Sequence, residues 1–287
     1  MMKRTLVFTA LVGTIVVCAT VHTCPSSASP QKKERPKLLL EVIPPKTAWP
    51  KPDYHWIEDA WTGGGGKFDA VRAAIDHQIA KGTNPRVLWE GYAKRLDSTP
   101  DDPVARAGWA YSVFSGFAGN RTELSHQTLY QDLDRALWIL RRTSVEGSPE
   151  LYRLRFLVES AANPSPELLP AGLRLLGAFP NDPHVKWRYA FLLGLYGNKA
   201  DALCQSIRLL DELIHSQDKN PNYYSAQASA YWMLMGQTKQ AADGEKAIHL
   251  FHKAESLFKD EGSRSVVRRS IERVRDFMKR LKVNYIL

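Results

Sequence analysis

Three groups of residues have types and spacings that invite a chemical reading. Glu245, His249 and His252 lie at i, i+4 and i+7, with Glu255 three further on, so one helix face offers imidazole and carboxylate ligands of the kind a metal takes. The same stretch carries Ile248, Phe251, Ala254 and Phe258 as its apolar stripe, which turns the histidines to solvent. The other histidines, at 22, 55, 77, 126, 184 and 215, are scattered, so a solvated face without metal is the plainer reading. Gly66-Lys67, at the end of the run Gly63–Gly66, invites comparison with a phosphate-binding loop. That motif needs Gly where Trp61 stands, Ser or Thr where Phe68 stands, and an apolar strand leading in. The run reads as a hinge. Cys204 is the third case. A catalytic thiolate needs a base or a cationic setting nearby, and the sequence offers neither. Cys204 is expected as a buried, small apolar residue.

The familiar signatures Gly-x-Ser-x-Gly, His-Glu-x-x-His and Cys-x-x-Cys do not occur. Asp101-Asp102 precedes Pro103 and reads as a helix cap rather than an acid pair. Asn120-Arg121-Thr122 matches a glycosylation acceptor, which matters only in a eukaryotic secretory pathway. The sequence therefore assigns no catalytic residue, no metal and no cofactor, and points toward binding.

The elements that would position a binding site begin after a distinct N-terminus. Residues 1–28 have the layout of a secretory signal: Lys3-Arg4, an apolar run from Leu6 to Val17, and small residues at Ser26 and Ala28. Export follows, to the periplasm, the cell envelope or beyond, with an uncleaved membrane anchor as the alternative. A lipoprotein is disfavoured because Val17 and Thr23 precede Cys18 and Cys24. With those cysteines removed, Cys204 cannot form an internal bridge. Residues 29–66 are a tether, too rich in proline for a long helix. Its Trp49, Tyr54, Trp56 and Trp61 are too many aromatics for a solvated linker, and its later part is expected to dock on the first helix pair.

From 67 to 262 the apolar spacing is helical, with no convincing alternating strand. Pair starts fall near Phe68, Pro103, Pro149, Pro183 and Pro221, at intervals of 35, 46, 34 and 38 residues. Several starts have Asn, Asp or Ser followed by Pro at the first helical position. A two-helix period of this size marks a helical solenoid. Pro183 to Gly197, with Ala190 seven residues in and Ala202 five after the glycine, resembles a tetratricopeptide repeat (TPR). Pro221 to Gly236, with Ser229 and Ala241, is similar. The Pro103 unit keeps Ala110 and Ala136 with a longer turn, and the Pro149 unit has Phe156 where a small residue belongs.

The resemblance implies an all-α fold, a right-handed superhelical solenoid of antiparallel helix pairs whose first helices line a concave face. On that register His184, Trp187 and Phe191 of one unit and Tyr223, Ala226 and Ala230 of the next face a peptide-binding groove. Ordinary inter-helix packing is the alternative for Trp187 and Phe191.

Residues 263–287 form a basic amphipathic capping helix. Val267, Ile271, Val274, Met278 and Leu281 make one narrow stripe. Arg264, Arg268, Arg269, Arg273, Arg275, Lys279, Arg280 and Lys282 occupy the other faces, opposed only by Glu272 and Asp276, and hold most of the net charge of +9. An anionic membrane surface is a possible partner for this face, and export argues against nucleic acid. The expected function is a non-catalytic scaffold for a protein or peptide. The alternatives are a membrane-anchored or membrane-peripheral assembly factor and, less favoured, an all-α envelope enzyme such as a glycoside hydrolase, which would need an acidic pair.

Overall fold

The computed structural model describes residues 43–44, 46–58, 67–119, 126–143, 148–197 and 199–284. The expected signal at 1–28, Cys18, Cys24, most of the expected tether, Trp61, the Gly63–Gly66 run, the Asn120-Arg121-Thr122 match and the side chain of Lys282 lie outside the described residues. Among the described residues the fold is all-α, with no strand. The helices are α1 (Lys67–Ala80), α2 (Pro85–Ser98), α3 (Pro103–Gly119), α4 (His126–Leu140), α5 (Pro149–Ala162), α6 (Leu169–Ala178), α7 (Pro183–Tyr196), α8 (Ala200–Ser216), α9 (Pro221–Thr238), α10 (Ala241–Leu257) and α11 (Glu261–Asn284). No helix among the described residues is long and apolar enough to cross a membrane.

Local chemistry sets where the helices begin. Proline fixes φ near the helical value at a position whose N–H has no intrahelical partner. The preceding side chain then caps the exposed amides. Asn84 accepts from the amide of Arg86, Ser148 from Leu151, Asp182 from His184 and Val185, and Asn220 from Asn222. Asp102 does the same for α3, accepting from Val104 and Ala105. Each such cap is worth about 1 kcal/mol. Gly82 has a φ of 88°, so the turn between α1 and α2 needs glycine.

The helices pack mainly against chain neighbours. Contacts join α2 to α3, α3 to α4, α4 to α5, α6 to α7, α7 to α8, α8 to α9, α9 to α10 and α10 to α11. The odd-numbered helices also touch in series, α1 to α3, α3 to α5, α5 to α7 and α7 to α9. Small residues allow the close approaches. Ser206 of α8 donates to the carbonyl of Ala190 on α7 at 2.7 Å. Phe156, large where the repeat pattern wants a small residue, is accommodated by Gly172 of α6. A Cβ there would stand 2.6 Å from Tyr189 and 3.0 Å from Phe156.

One large apolar core runs from the N-terminal segment to the first turns of α9, including Trp109, Phe114, Leu137, Tyr152 and Trp187. A second joins α9, α10 and α11 through Tyr224, Ala228, Phe251, Val267 and Ile271. Cys204 corrects its expectation. Leu203, Ile207 and Leu210 form the buried side of α8, and Cys204, one position round from Leu203, is exposed.

Candidate functional site

Four of the six residues assigned to a groove lie inside the protein. Trp187, Tyr223, Ala226 and Ala230 are buried, with Tyr223 and Ala230 fully so. Phe191 is half-buried. His184 is partly covered as a residue, and its Nδ1 is shut off from solvent. Trp187, Tyr223, Ala226 and Ala230 do not line an open groove in this structure. The reason is a wall of aromatics from α3. Phe117 stacks on Trp187 with centroids 5.7 Å apart, Phe114 meets His184 edge-on at 5.5 Å, and Trp187 lies 6.0 Å from Tyr223. Aromatic pairs at such distances add about 0.5–1.5 kcal/mol beyond their burial. The wall is therefore core. Trp187 Nε1 and His184 Nδ1 are buried in it without a hydrogen-bond partner.

Below this wall lies a buried charged network. Glu150 Oε2 forms ion pairs with Arg72 at 3.1 Å and with Arg153 at 2.8 Å. Arg153 also pairs with Asp182, the cap of α7. Tyr111 donates to Asp76 at 2.7 Å. A small pocket lined partly by Phe68, Val71 and Leu154 lies against these groups. Burial pushes the Asp182 carboxyl up, but Arg153, His184 and the amide of Val185 outweigh it and hold the group below the ordinary carboxylate value. Burial dominates at Glu150 and raises it, against the pull of Arg153 and Arg72. Burial also lowers His184, which Asp182 and Asp76 only partly offset. The carboxylates of this network sit against arginines, in a salt-bridged arrangement that ties α1 and α5 to the start of α7. Glu159 likewise pairs with Arg141.

Arg188 is buried and bonds to Ser160, donating to its hydroxyl and its carbonyl. The rings of Phe191 and Trp187 lie 4.4 and 4.8 Å from its guanidinium carbon. Burial pushes its pKa down to about 10, so it keeps its charge at neutral pH. Sequence reading gave none of Arg153, Arg155 and Arg188 a place in the core. The available signals were the spacings Glu150/Arg153 and Arg155/Glu159, which also occur on solvated faces.

The end of the tether, residues 59–66, lies outside the described residues, so the expected docking on the first helix pair bears only on the part before it, which sits elsewhere. Residues 46–58 are seated on α4, α5 and α6. Trp49 lies 5.1 Å from Trp138 of α4, and Trp56 meets Tyr152 of α5 edge-on at 5.0 Å. Arg155 lies 5.0 Å from the Trp56 ring and Arg141 5.8 Å from that of Trp49. Lys46 reaches Asp134 at 2.7 Å and the Ala162 carbonyl at 2.8 Å. The Ile57 carbonyl accepts from Tyr152 Oη at 2.7 Å and from Arg174 at 3.2 Å. Rings and guanidinium planes on α4 to α6 attract tryptophan more strongly than the polar outer turns of α1 and α2.

On α11 the apolar stripe packs inward, with Val267, Ile271 and Val274 buried and Met278 and Leu281 half-buried. Arg268, Arg269, Arg273, Arg275, Lys279 and Arg280 are exposed, and Arg264 is half-buried. Arg268 is engaged by Glu255 at 2.6 Å and Glu261 at 2.8 Å. Arg264 donates to the Phe258 carbonyl. Glu245, His249 and His252 are exposed on α10, and His252 lies 3.5 Å from Glu255. Among the described residues, no three His, Cys, Asp or Glu side chains gather as a metal would require. Compared with protein-family models, curated proteins and solved structures, the chain matches none of them.

Proposed function

We propose that this chain is a non-catalytic interaction scaffold, a TPR-like solenoid of antiparallel helix pairs ending in α11, that binds a protein or peptide partner in the cell envelope. The observation that carries this reading is the serial contact of α1, α3, α5, α7 and α9, the last four of them also packed on chain neighbours. Repeat proteins use that plan to present long surfaces, and their function comes from what the surface holds. Because Trp187 and Tyr223 are buried, this reading puts the partner on other surfaces of the helices. The test is capture of envelope proteins by the full chain, with contacts mapped by cross-linking. Saturable cross-links to the outer surfaces of α1 to α9 support the scaffold. Absence of any saturable partner overturns it.

A second reading is favoured by one feature of α11. Five cations on its outer faces (Arg269, Arg273, Arg275, Lys279 and Arg280) have exposed side chains. Such a face suits anionic headgroups, at about 1 kcal/mol per cation near the surface. Salt-sensitive binding of the intact chain to phosphatidylglycerol vesicles, and not to phosphatidylcholine vesicles, supports a membrane-peripheral role. No binding to either ends it.

A further inference from the structure

We propose that one face of α11, the row Val266, Arg269, Arg273, Phe277 and Arg280, is a bilayer contact. Its guanidiniums take the phosphates of anionic phospholipids, and Val266 and Phe277 enter the boundary between headgroups and acyl chains. The inference rests on the membrane-peripheral reading and assigns that reading a face and a depth.

Spacing puts these side chains in line. Steps of three, four, four and three residues follow a helix of about 3.6 residues per turn along one side. Val266 and Arg273 each stand one position before a buried valine, Val267 and Val274, so the row lies about 100° round the helix from the stripe that packs inward.

The two flanks of α11 differ in what answers their charge. On one, Arg268 is held by Glu255 and Glu261, and Arg275 lies 3.5 Å from His252. Lys279 reaches Asp276 at 3.5 Å. In the row, Arg269 and Arg273 are exposed and make no ion pair or hydrogen bond among the described residues. Arg280 donates through Nε to the Asp276 carbonyl at 3.3 Å and pairs with no carboxylate. The acids bordering the row are Glu272 and Asp276, and Lys279 already engages the second. The row therefore keeps guanidinium forks open to phosphate, which they match in shape as well as charge.

The apolar members select a bilayer over a soluble polyanion, which needs cations alone. Val266 is 43% exposed, although its neighbour Val267 is buried. Phe277 is half-buried, with Lys239 at the end of α9 and Arg280 lying 5.7 and 6.0 Å from its ring. Apolar groups interleaved with long cationic side chains suit the interface, where arginine stems lie along acyl chains and their heads reach the phosphates.

The test is co-sedimentation of the full chain with vesicles of phosphatidylglycerol mixed with phosphatidylcholine. Two variants remove equal charge from the two flanks, Arg269→Gln with Arg273→Gln and Arg275→Gln with Lys279→Gln. The first is expected to weaken binding at least about tenfold. The second, turned away from the surface by about a Debye length, is expected to weaken it by less than about threefold. Val266→Ser is expected to cost about threefold and to leave the salt dependence unchanged. All five positions are exposed, and circular dichroism checks that the helices persist. Equal losses from the two pairs, or no loss from either, overturn the row while keeping the membrane-peripheral reading. Unchanged binding of Val266→Ser overturns the apolar contact. Displacement of the chain by soluble polyphosphate at the vesicles' own phosphate concentration makes the face a general polyanion site and overturns the bilayer assignment. No vesicle binding by the unaltered chain removes the membrane-peripheral reading and the row with it.

Discussion

In α5 every residue from Glu150 to Ala162 is buried, arginines included. In α11, where arginines are denser, they lie mostly in water and only a single stripe faces the protein. Position in the row of helices makes the difference. α5 has α3, α4, α6 and α7 around it, and the tether besides, so each of its faces meets protein. α11 packs on α10 along its stripe. A cation enters the interior only with partners that replace its hydration, because an unpaired buried charge costs several kcal/mol. Arg153 has Glu150 and Asp182, and Arg155 has Glu159 and the Trp56 ring. One residue type thus serves as a buried connector in α5 and as a hydrated surface group on α11.

The comparison can be broken in several places. Arg153→Met leaves Asp182 and Glu150 without their central partner, and urea denaturation is expected to show a loss of about 3–5 kcal/mol. A loss below about 1 kcal/mol would mean the network is not structural. Trp187→Ala, within the aromatic wall, is expected to remove roughly 3–4 kcal/mol through lost burial and a cavity. A groove residue would instead leave stability nearly unchanged. His184 supplies a pH test. Its folded pKa is lowered from 6.5 by burial, against Asp182 and Asp76 and together with Arg153 and Arg72. The unfolded chain therefore takes up a proton before the folded one does, and stability falls as pH drops below about 6.5 toward the folded pKa. His184→Gln is expected to flatten thermal stability between pH 7 and 5, and an unchanged slope would place the titration elsewhere. Arg273→Ala, exposed on α11, is expected to change stability by no more than about 0.5 kcal/mol while weakening any vesicle binding.

The helix starts were legible because their causes are local. Asp182-Pro183 and Asn220-Pro221 carry cap and dihedral in adjacent residues, and the helices begin there. The stripe of α11 was legible for the same reason. Packing between distant elements was not. Nothing near Trp187 reveals that Phe117, seventy positions earlier, stacks on it. Arg153 and Arg155 look like a polar face until neighbours cover it. The tether's tryptophans advertised docking, but their seat depends on Trp138 and Tyr152, which no local rule connects to them. Cys204 shows how narrow the margin is, since a shift of one residue along α8 separates buried Leu203 from exposed Cys204.

Near the start of α9, the amides of Asn220 and Asn222 donate to the Ala118 carbonyl, each at 3.2 Å, and that of Asn222 reaches Phe117 as well. These bonds close a loop of about a hundred residues, from the end of α3 to the start of α9. In an array with neighbour contacts alone, melting can begin at any junction and spread unit by unit. Here a break between α5 and α7 must also release α9 from α3, so α3 to α9 is bound into one cooperative block. α10 and α11 lie beyond that clasp. Their backbone amides should trade hydrogen for deuterium first, and those of α3 and α9 should lose protection together.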